Sequence, residues 1–360
     1  MDLAAICKVA VTAGASDIHL KVGLPPLMRL HGDIKPIPSG GPAVNLEELG
    51  RALWDVMNPG QRERFKTTNE CDLAVTFEGV ARFRVNAFRQ QGKIGAVLRS
   101  IPTQVRTVDE LQLPPVLKKL AAEERGMVLV TGATGSGKST TLAAMIEEIN
   151  RTQPCHILTI EDPVEFLFQD KRSLVNQREV GIDAVNFHNA LRSALRQDPD
   201  VILIGELRDK ETVEIALSAA ETGHLVLGTL HTVDAHETVN RLVGFYEPHH
   251  QQQIRLMLGA VLRGVVSQRL VPSVGGGRAA ALEVMINTGT IYECIVDAKR
   301  TREIRDYMRK GRATYQTQTF DQHLYQMLQD GRITQDDALR FANNPDELAL
   351  RLSGLGTDDE

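Results

Sequence analysis

Near the middle of the chain, Gly132-Ala133-Thr134-Gly135-Ser136-Gly137-Lys138-Ser139 matches the spacing GxxxxGK[ST]. Glycines at these places let backbone N–H groups curl around phosphate oxygens without interference from a Cβ, and a following helix N-terminus adds partial positive charge. In such a loop the lysine, Lys138, reaches the β and γ phosphates of a nucleoside triphosphate, and Ser139 can ligate Mg²⁺. An apolar run at 127–131 precedes the loop, and Thr140-Thr141-Leu142 opens a helical pattern after it. That is the strand–loop–helix context the motif requires, so ATP with Mg²⁺ is the expected ligand, held by Gly132 to Thr140.

Hydrolysis at such a loop also calls for one carboxylate to hold the magnesium shell and another to orient the attacking water. Val201-Ile202-Leu203-Ile204-Gly205-Glu206 is an apolar strand ending in an acid, which makes Glu206 the expected metal ligand beside Ser139. A second apolar strand, 156–160, runs into Glu161-Asp162-Pro163-Val164-Glu165. In a parallel sheet both strands end at the edge where the phosphate loop sits. Glu165 is expected to position or deprotonate the water, with Glu161 as the second candidate. The next strand, 225–230, is flanked by His224 and His231; either can contact the γ-phosphate or serve as a cap or core residue.

The elements that must carry these residues fall into two patterns. Before residue 100, short strand-like runs alternate with one or two helices. Residues 3–13 read as a helix stopped by Gly14, 27–37 as a hairpin turning at Gly32-Asp33, and 46–57 as a helix ended by Asn58-Pro59-Gly60. Strands at 72–77 and 80–88 are joined by Glu78-Gly79, and in the second of them Ala81, Phe83, Val85 and Ala87 share one face while Arg82, Arg84 and Asn86 share the other. After residue 126, strands at 127–131, 156–160, 201–204 and 225–230 alternate with helices at 137–149, 186–196 and 211–222. Their near-continuous apolar character indicates a parallel sheet covered on both faces. Beyond Pro248 the chain reads as mostly helical, with Gly275-Gly276-Gly277 as a hairpin or flexible turn.

A length of 360 residues, at about 150 per domain, suggests two domains. We place them at 1–101 and 116–360, with a proline-flanked linker or hinge over 102–115. A composition of 42% hydrophobic and 24% charged residues excludes disordered and fibrous classes. The formal charge of −5 argues against a surface built to hold phosphate backbones, so no nucleic-acid partner is expected. No apolar run approaches the roughly 20 residues of a membrane span. The start of the chain lacks a signal-peptide pattern. Cys7, Cys71, Cys155 and Cys294 are too scattered for a metal clip and read as packing residues in a cytoplasmic protein.

Taken together, Gly132 to Thr140, residues 160–166, residues 204–209, and Thr222-Gly223-His224 through Leu230-His231-Thr232 resemble the ordered Walker A, Asp, Walker B and His boxes of the secretion and pilus-motor ATPases. Ser16-Asp17-Ile18-His19-Leu20 and the pair Arg82 and Arg84 also resemble that superfamily, so the likeness covers nearly the whole chain. It implies an α/β fold in which a RecA-like P-loop NTPase domain follows a smaller N-terminal α+β, PAS-like domain. It further implies that Arg82 and Arg84 act as arginine fingers on the γ-phosphate, and that the working unit is a homo-hexamer at the cytoplasmic face of the inner membrane. There it would act on the platform protein of a pilus machine.

Assembly and type II secretion motors usually add an N-terminal docking domain and a cysteine-clustered metal-binding insert. Their lack here makes the type IV pilus retraction, or twitching-motility, branch the expected one. A ring-shaped DNA translocase is a more distant alternative. The stretch Glu303-Ile304-Arg305-Asp306-Tyr307-Met308-Arg309-Lys310-Gly311-Arg312 keeps the Ile-Arg core and closing glycine of a retraction-motor helix but differs in its middle. Gln318-Thr319-Phe320-Asp321 is similar to relatives outside the main retraction group, which leaves room for an accessory motor or a paralogous retraction ATPase as partner. The basic run over 299–312 reads either as a docking face for the platform protein or as a solvated helical face.

Overall fold

Apolar residues alternate with polar ones along the N-terminal strands and run nearly unbroken along the central strands after residue 126, and the two patterns become two different sheets. The computed structural model describes residues 1–354 apart from 31, 39–40 and 102–104. Contacts divide the chain into two compact units, one of Met1–Gln104 with Glu165–Leu167, the other of Val105–Val164 with Phe168–Glu360.

The first unit runs α1 (Leu3–Thr12), β1 (Asp17–Lys21), β2 (Leu27–Leu30), β3 (Asp33–Pro36), α2 (Leu46–Val56), α3 (Pro59–Thr68), β4 (Glu70–Phe77), β5 (Ala81–Gln90) and β6 (Lys93–Ile101). Its strands form one antiparallel sheet in the order β3-β2-β1-β6-β5-β4. Phe83, Val85 and Ala87 of β5 bury one face of it in a core shared with Ile18, Leu98, Leu49 and Phe65. On β5 the alternate residues Arg82 and Asn86 are half-buried and Arg84 is exposed. Arg99 of β6 lies directly across from Arg84 and from Asp17 of β1. The Asp17 carboxylate takes 2.8 Å hydrogen bonds from Arg99 Nε and Ser16 Oγ. Burial alone would raise this carboxyl; the bonds from Arg99 and Ser16 outweigh it and hold it below the usual carboxylate range.

The expected stop at Asn58-Pro59-Gly60 does end α2, with Met57 as its C-cap, and the same residues also start α3. Asn58 caps it by accepting from Gln61 N at 2.8 Å, the Gln61 side chain accepts from Asn58 N at 2.9 Å, and Pro59 takes the first helical place.

The second unit runs α4 (Val116–Ala121), β7 (Gly126–Thr131), α5 (Lys138–Thr152), β8 (His156–Glu161), β9 (Leu174–Glu179), α6 (Phe187–Ala194), β10 (Val201–Ile204), α7 (Lys210–Glu221), β11 (Leu225–Leu230), α8 (Ala235–Gly244), α9 (Gln251–Val261), β12 (Leu262–Pro272), β13 (Arg278–Ile286), α10 (Gly289–Val296), α11 (Ile304–Lys310), α12 (Arg312–Tyr315), α13 (Phe320–Gln329), α14 (Gln335–Phe341) and α15 (Pro345–Leu352). The sheet order is β13-β12-β7-β11-β10-β8-β9, with every neighbouring pair parallel except β12–β13. Met127 and Leu129 of β7, with Ile202 and Ile204 of β10, face one core; Val128 and Val130, with Val201 and Leu203, face the other. Helices cover both sides, which is why these strands are apolar throughout.

Three expectations change here. The region after Pro248 is mostly helical, as expected, but it also holds two strands that were not expected: β12 follows α9 without a break and, with β13, extends the sheet. The apolar run Leu256–Leu262 carries the last turns of α9 straight into the first residue of β12, which gives no periodic signal to divide helix from strand. The linker expected over 102–115 falls partly outside the described residues, at 102–104, and from Val108 onward it is packed, with Val108 and Leu113 buried in the core of the second unit. Three cations of the basic run over 299–312 are paired within their own unit, so it is not simply a solvated face. Arg300 Nη1 meets Glu293 at 2.8 Å, Arg305 meets Asp321 at 2.9 Å, and Arg309 meets Glu347 at 3.1 Å. Cys7, Cys71 and Cys294 are buried and Cys155 is half-buried.

Glu283 of β13 is 3% exposed and its Oε1 accepts from Ala235 N at 3.0 Å. Burial pushes its carboxyl up from 4.5 to about 7, against the opposing Ala235 hydrogen bond. A carboxyl raised on folding contributes full stability below about pH 4.5, and that contribution is lost as pH climbs to 7, by at most about 3 kcal/mol. Glu283→Gln is therefore expected to match the wild type closely in chemical denaturation at pH 5 and to exceed it by 1–3 kcal/mol (approximate range) at pH 8. The same difference at both pH values would contradict this assignment.

Candidate functional site

The sharp exit from β7 builds the site. Gly132 follows Thr131 at φ +142°, and a Cβ there would lie 2.4 Å from Gln268 O and 2.6 Å from Ser136 Oγ. Gly137 has φ +87°, with Gln268 Nε2 2.7 Å from the place of its Cβ. Gly135, at φ +79°, opens to free space, and Ala133, Thr134 and Gly135 form the exposed crown of the loop while Ser139 and Thr140 are half-buried. Lys138 begins α5 and is 9% exposed; its Nζ donates to Gly132 O at 2.8 Å and Ala133 O at 3.1 Å. The ammonium is thus stationed inside the curl by the loop's own carbonyls. Ser136 Oγ is buried without a hydrogen-bond partner among the described residues. The first-turn N–H groups of α5 have no acceptor within the helix. Donors, a cation and an orphaned hydroxyl gathered at one loop fit a phosphate group, and the Ser139 hydroxyl with the Glu206 carboxylate are hard oxygen donors of the kind Mg²⁺ takes.

Parallel strand order fixes what stands beside the loop. From β7 the neighbours are β11, β10 and β8, so His231, Glu206 and Glu161 follow one another along the same sheet edge as the loop. Leu207 N donates to Thr229 O at 3.0 Å, and Thr229 Oγ1 donates to Gly205 O, which pins the exit of β10 to β11. Between those two anchors Glu206 has one carboxylate oxygen 3.0 Å from His231 Nε2 and the other 2.8 Å from Arg208 Nη2. Glu161 is 9% exposed, and its Oε1 accepts from Thr159 Oγ1 at 2.7 Å and from Gln177 Nε2 at 3.4 Å. An open pocket of about 600 Å³ lies against this edge, lined by Glu206, Arg208, His231, Thr232, Glu237 and Arg241 among others.

Other expected site residues lie elsewhere. His224 precedes β11, so it sits at the opposite sheet edge, where its main-chain oxygen accepts from Gly126 N at 3.0 Å and its Nδ1 is 3.0 Å from Ala219 O. The expectation that it shares the phosphate site is corrected: in a parallel sheet only residues beyond the C-terminal strand ends reach that edge. Its role is to close the end of α7. Glu165 falls in the Glu165–Leu167 stretch that groups with the first unit. Arg82 and Arg84 stand on the polar face of β5, and Arg84 Nε is 3.8 Å from Asp72. Sequence reasoning missed Arg208 and Gln268. Arg208 was legible in principle, because it lies two residues beyond the strand-end acid.

Residues 69–344 match the sequence profile of the family described as type II/IV secretion system protein. The chain belongs to that family. It is 45% identical to the type IV pilus retraction ATPase PilT of Pseudomonas aeruginosa over 96% of this chain and 99% of that protein. It is 41% identical to the type IV pilus ATPase PilU of the same organism over the full length of this chain and 93% of that protein. The crystal structure of the pilus retraction motor PilT with bound ADP superimposes with a TM-score of 0.90 and 44% identity, covering 97% of this chain and 99% of that one. The second unit is accordingly a RecA-like domain of this secretion family, preceded by a smaller α+β unit.

The loop geometry separates its glycines. Gly132→Ala forces a left-handed backbone and a clash with main chain that cannot swing away, an expected loss of about 2 kcal/mol or more; Gly135→Ala meets only the backbone strain, about 1 kcal/mol. Thermal unfolding checks the ranking, and equal melting temperatures for the two variants would contradict it.

Proposed function

We propose that this chain is an ATP-hydrolysing motor that drives type IV pilus retraction. The observation that carries the reading is the end-to-end likeness to a pilus retraction ATPase, 45% identical over 99% of that protein, in a chain that keeps a complete phosphate loop with an acid and a histidine at the neighbouring strand ends.

In this reading Gly132 to Thr140 cradle the phosphates and Lys138 holds the β and γ oxygens. Ser139 and Glu206 hold Mg²⁺, directly or through water. When bound, the ion neutralises charge on the phosphate oxygens. His231 and Arg208 keep the Glu206 carboxylate aimed along the strand edge. Glu165 or Glu161 orients the attacking water. Glu161 has a strand-end place beside Gly205, where a Cβ would come within 3.3 Å of its Cα. Arg82 and Arg84 supply cations to the γ-phosphate, and contacts made only to that group are lost on hydrolysis, which couples turnover to motion.

The working assembly is a homo-hexamer, peripheral at the cytoplasmic face of the inner membrane, where it acts on the platform protein of the pilus machine. Among the described residues no helix is long and apolar enough to cross a membrane. A paralogous retraction ATPase is a further partner in this reading. An assembly motor is the second reading, carried by the shared family.

Glu206→Gln is expected to bind ATP yet hydrolyse it on the order of 100-fold more slowly. Deletion in the source organism, scored for surface pili and surface-dependent movement together, decides the direction of work. Excess pili with lost movement, restored by the wild type and not by Glu206→Gln, is the expected result. Bare cells would overturn retraction in favour of assembly, and unchanged piliation would overturn both.

A further inference from the structure

The phosphate loop is braced from outside by one buried carboxamide. Gln268 of β12 is 3% exposed; its Nε2 donates to Ser136 O at 2.7 Å and its Oε1 accepts from Thr141 Oγ1 at 2.6 Å. One residue earlier, Ser267 Oγ lies 2.9 Å from Thr131 Oγ1 at the end of β7. The same strand therefore grips the loop where it begins, at its inner turn, and in the first turn of α5.

The bond to Ser136 O reaches the ligand side through peptide geometry. In a planar trans peptide the C=O and the following N–H point in opposite directions. Holding the Ser136 carbonyl toward Gln268 turns the Gly137 N–H the other way, into the curl that receives phosphate. Without the amide, the glycine at φ +87° lets that peptide rotate at small cost, and the N–H is lost to the site. Water cannot take over, because the carboxamide is sealed from solvent.

Gln268 is itself fixed from the far side. It pairs across the β12–β13 ladder with Leu282, whose N–H donates to His323 Nδ1 at 2.9 Å and whose carbonyl accepts from Gln318 Nε2, also at 2.9 Å. His323 is 6% exposed on α13, and burial lowers its pKa to about 4, so the ring is neutral and Nδ1 is available as an acceptor. Both main-chain groups of Leu282 are spent on the α13 side, so the link to Gln268 is the register of the β12–β13 ladder, and through that hairpin the phosphate loop is tied to α13.

We propose that Gln268 is a positioning residue of the nucleotide site: its carboxamide sets the orientation of the Ser136–Gly137 peptide and makes that orientation depend on the β12–β13 hairpin and α13. The inference rests on the phosphate-loop reading above. It is tested on the full chain by calorimetric titration with ADP and by ATP turnover, with melting temperature recorded for each variant. Gln268→Glu keeps the shape and the acceptor for Thr141 while replacing the donor to Ser136 O; Gln268→Leu removes both. Each is expected to weaken ADP binding tenfold or more and to raise KM for ATP in step, with kcat changed less than threefold. Should Gln268→Leu fail to fold, Gln268→Glu carries the measurement. ADP affinity within twofold of wild type in folded Gln268→Glu, or a fall in kcat at constant KM, would overturn the proposal while leaving the phosphate loop intact. Absence of ADP binding by the wild type would overturn the phosphate-loop reading and this inference with it.

Discussion

The structure turns on the backbone at Gly132, where β7 stops and the loop begins with a main-chain oxygen of β12 only 2.4 Å from where a Cβ would sit. No side chain can occupy that place, so the chain must swing away from the sheet there and return into α5 at Lys138. The swing gives the loop its curl, stations the lysine ammonium between two carbonyls of the same loop, and presents a helix N-terminus to whatever the curl holds. Everything downstream depends on the sheet keeping β12 against β7, and that contact is sealed by strands buried on both faces.

Parallel order does the rest of the positioning. Residues distant in sequence, His231 after β11, Glu206 after β10 and Glu161 at the end of β8, reach one edge because three neighbouring strands point the same way. Glu206 is held at both carboxylate oxygens, so its aim is set by neighbours on two strands rather than by its own rotamer preference. A carboxylate paired in this way is pre-aimed, and ligand binding need not order it. The N-terminal unit handles charge differently, by setting Arg84 and Arg99 opposite each other with Asp17 flanking Arg99 and Asp72 flanking Arg84 on a polar sheet face.

Much of this was legible in the residues. The loop could be read because only glycine tolerates its backbone angles, and β10 and β11 because short, predominantly apolar runs bounded by polar residues have few other fates. Even the alternate faces of β5 followed from the order of Ala81 to Ala87. What escaped has physical reasons. Asn58-Pro59-Gly60 reads as a stop, yet the same asparagine and proline make a helix start once Gln61 is there to complete the cap. The α9–β12 junction lies inside one apolar stretch, where only the tertiary partner β7 decides that Leu262 leaves the helix. β9 is an edge strand with mixed side chains, Leu174 to Glu179, and carries no apolar run. Gln268 lies far from the loop in sequence, and nothing local marks a glutamine in a strand as the brace of a turn it touches only after folding. His224 escapes because a histidine flanking a strand looks the same at either end in sequence, whereas a parallel sheet gives its two edges different work.

The motor function depends on the loop being a working nucleotide site. The most direct test is steady-state hydrolysis of Mg-ATP by the purified full chain beside its Lys138→Gln variant. The structure predicts turnover by the wild type and its abolition in the variant, with unchanged folding by melting temperature, because Lys138 supplies the cation inside the curl. Equal turnover in the two proteins would contradict the assignment of this loop and the function built on it.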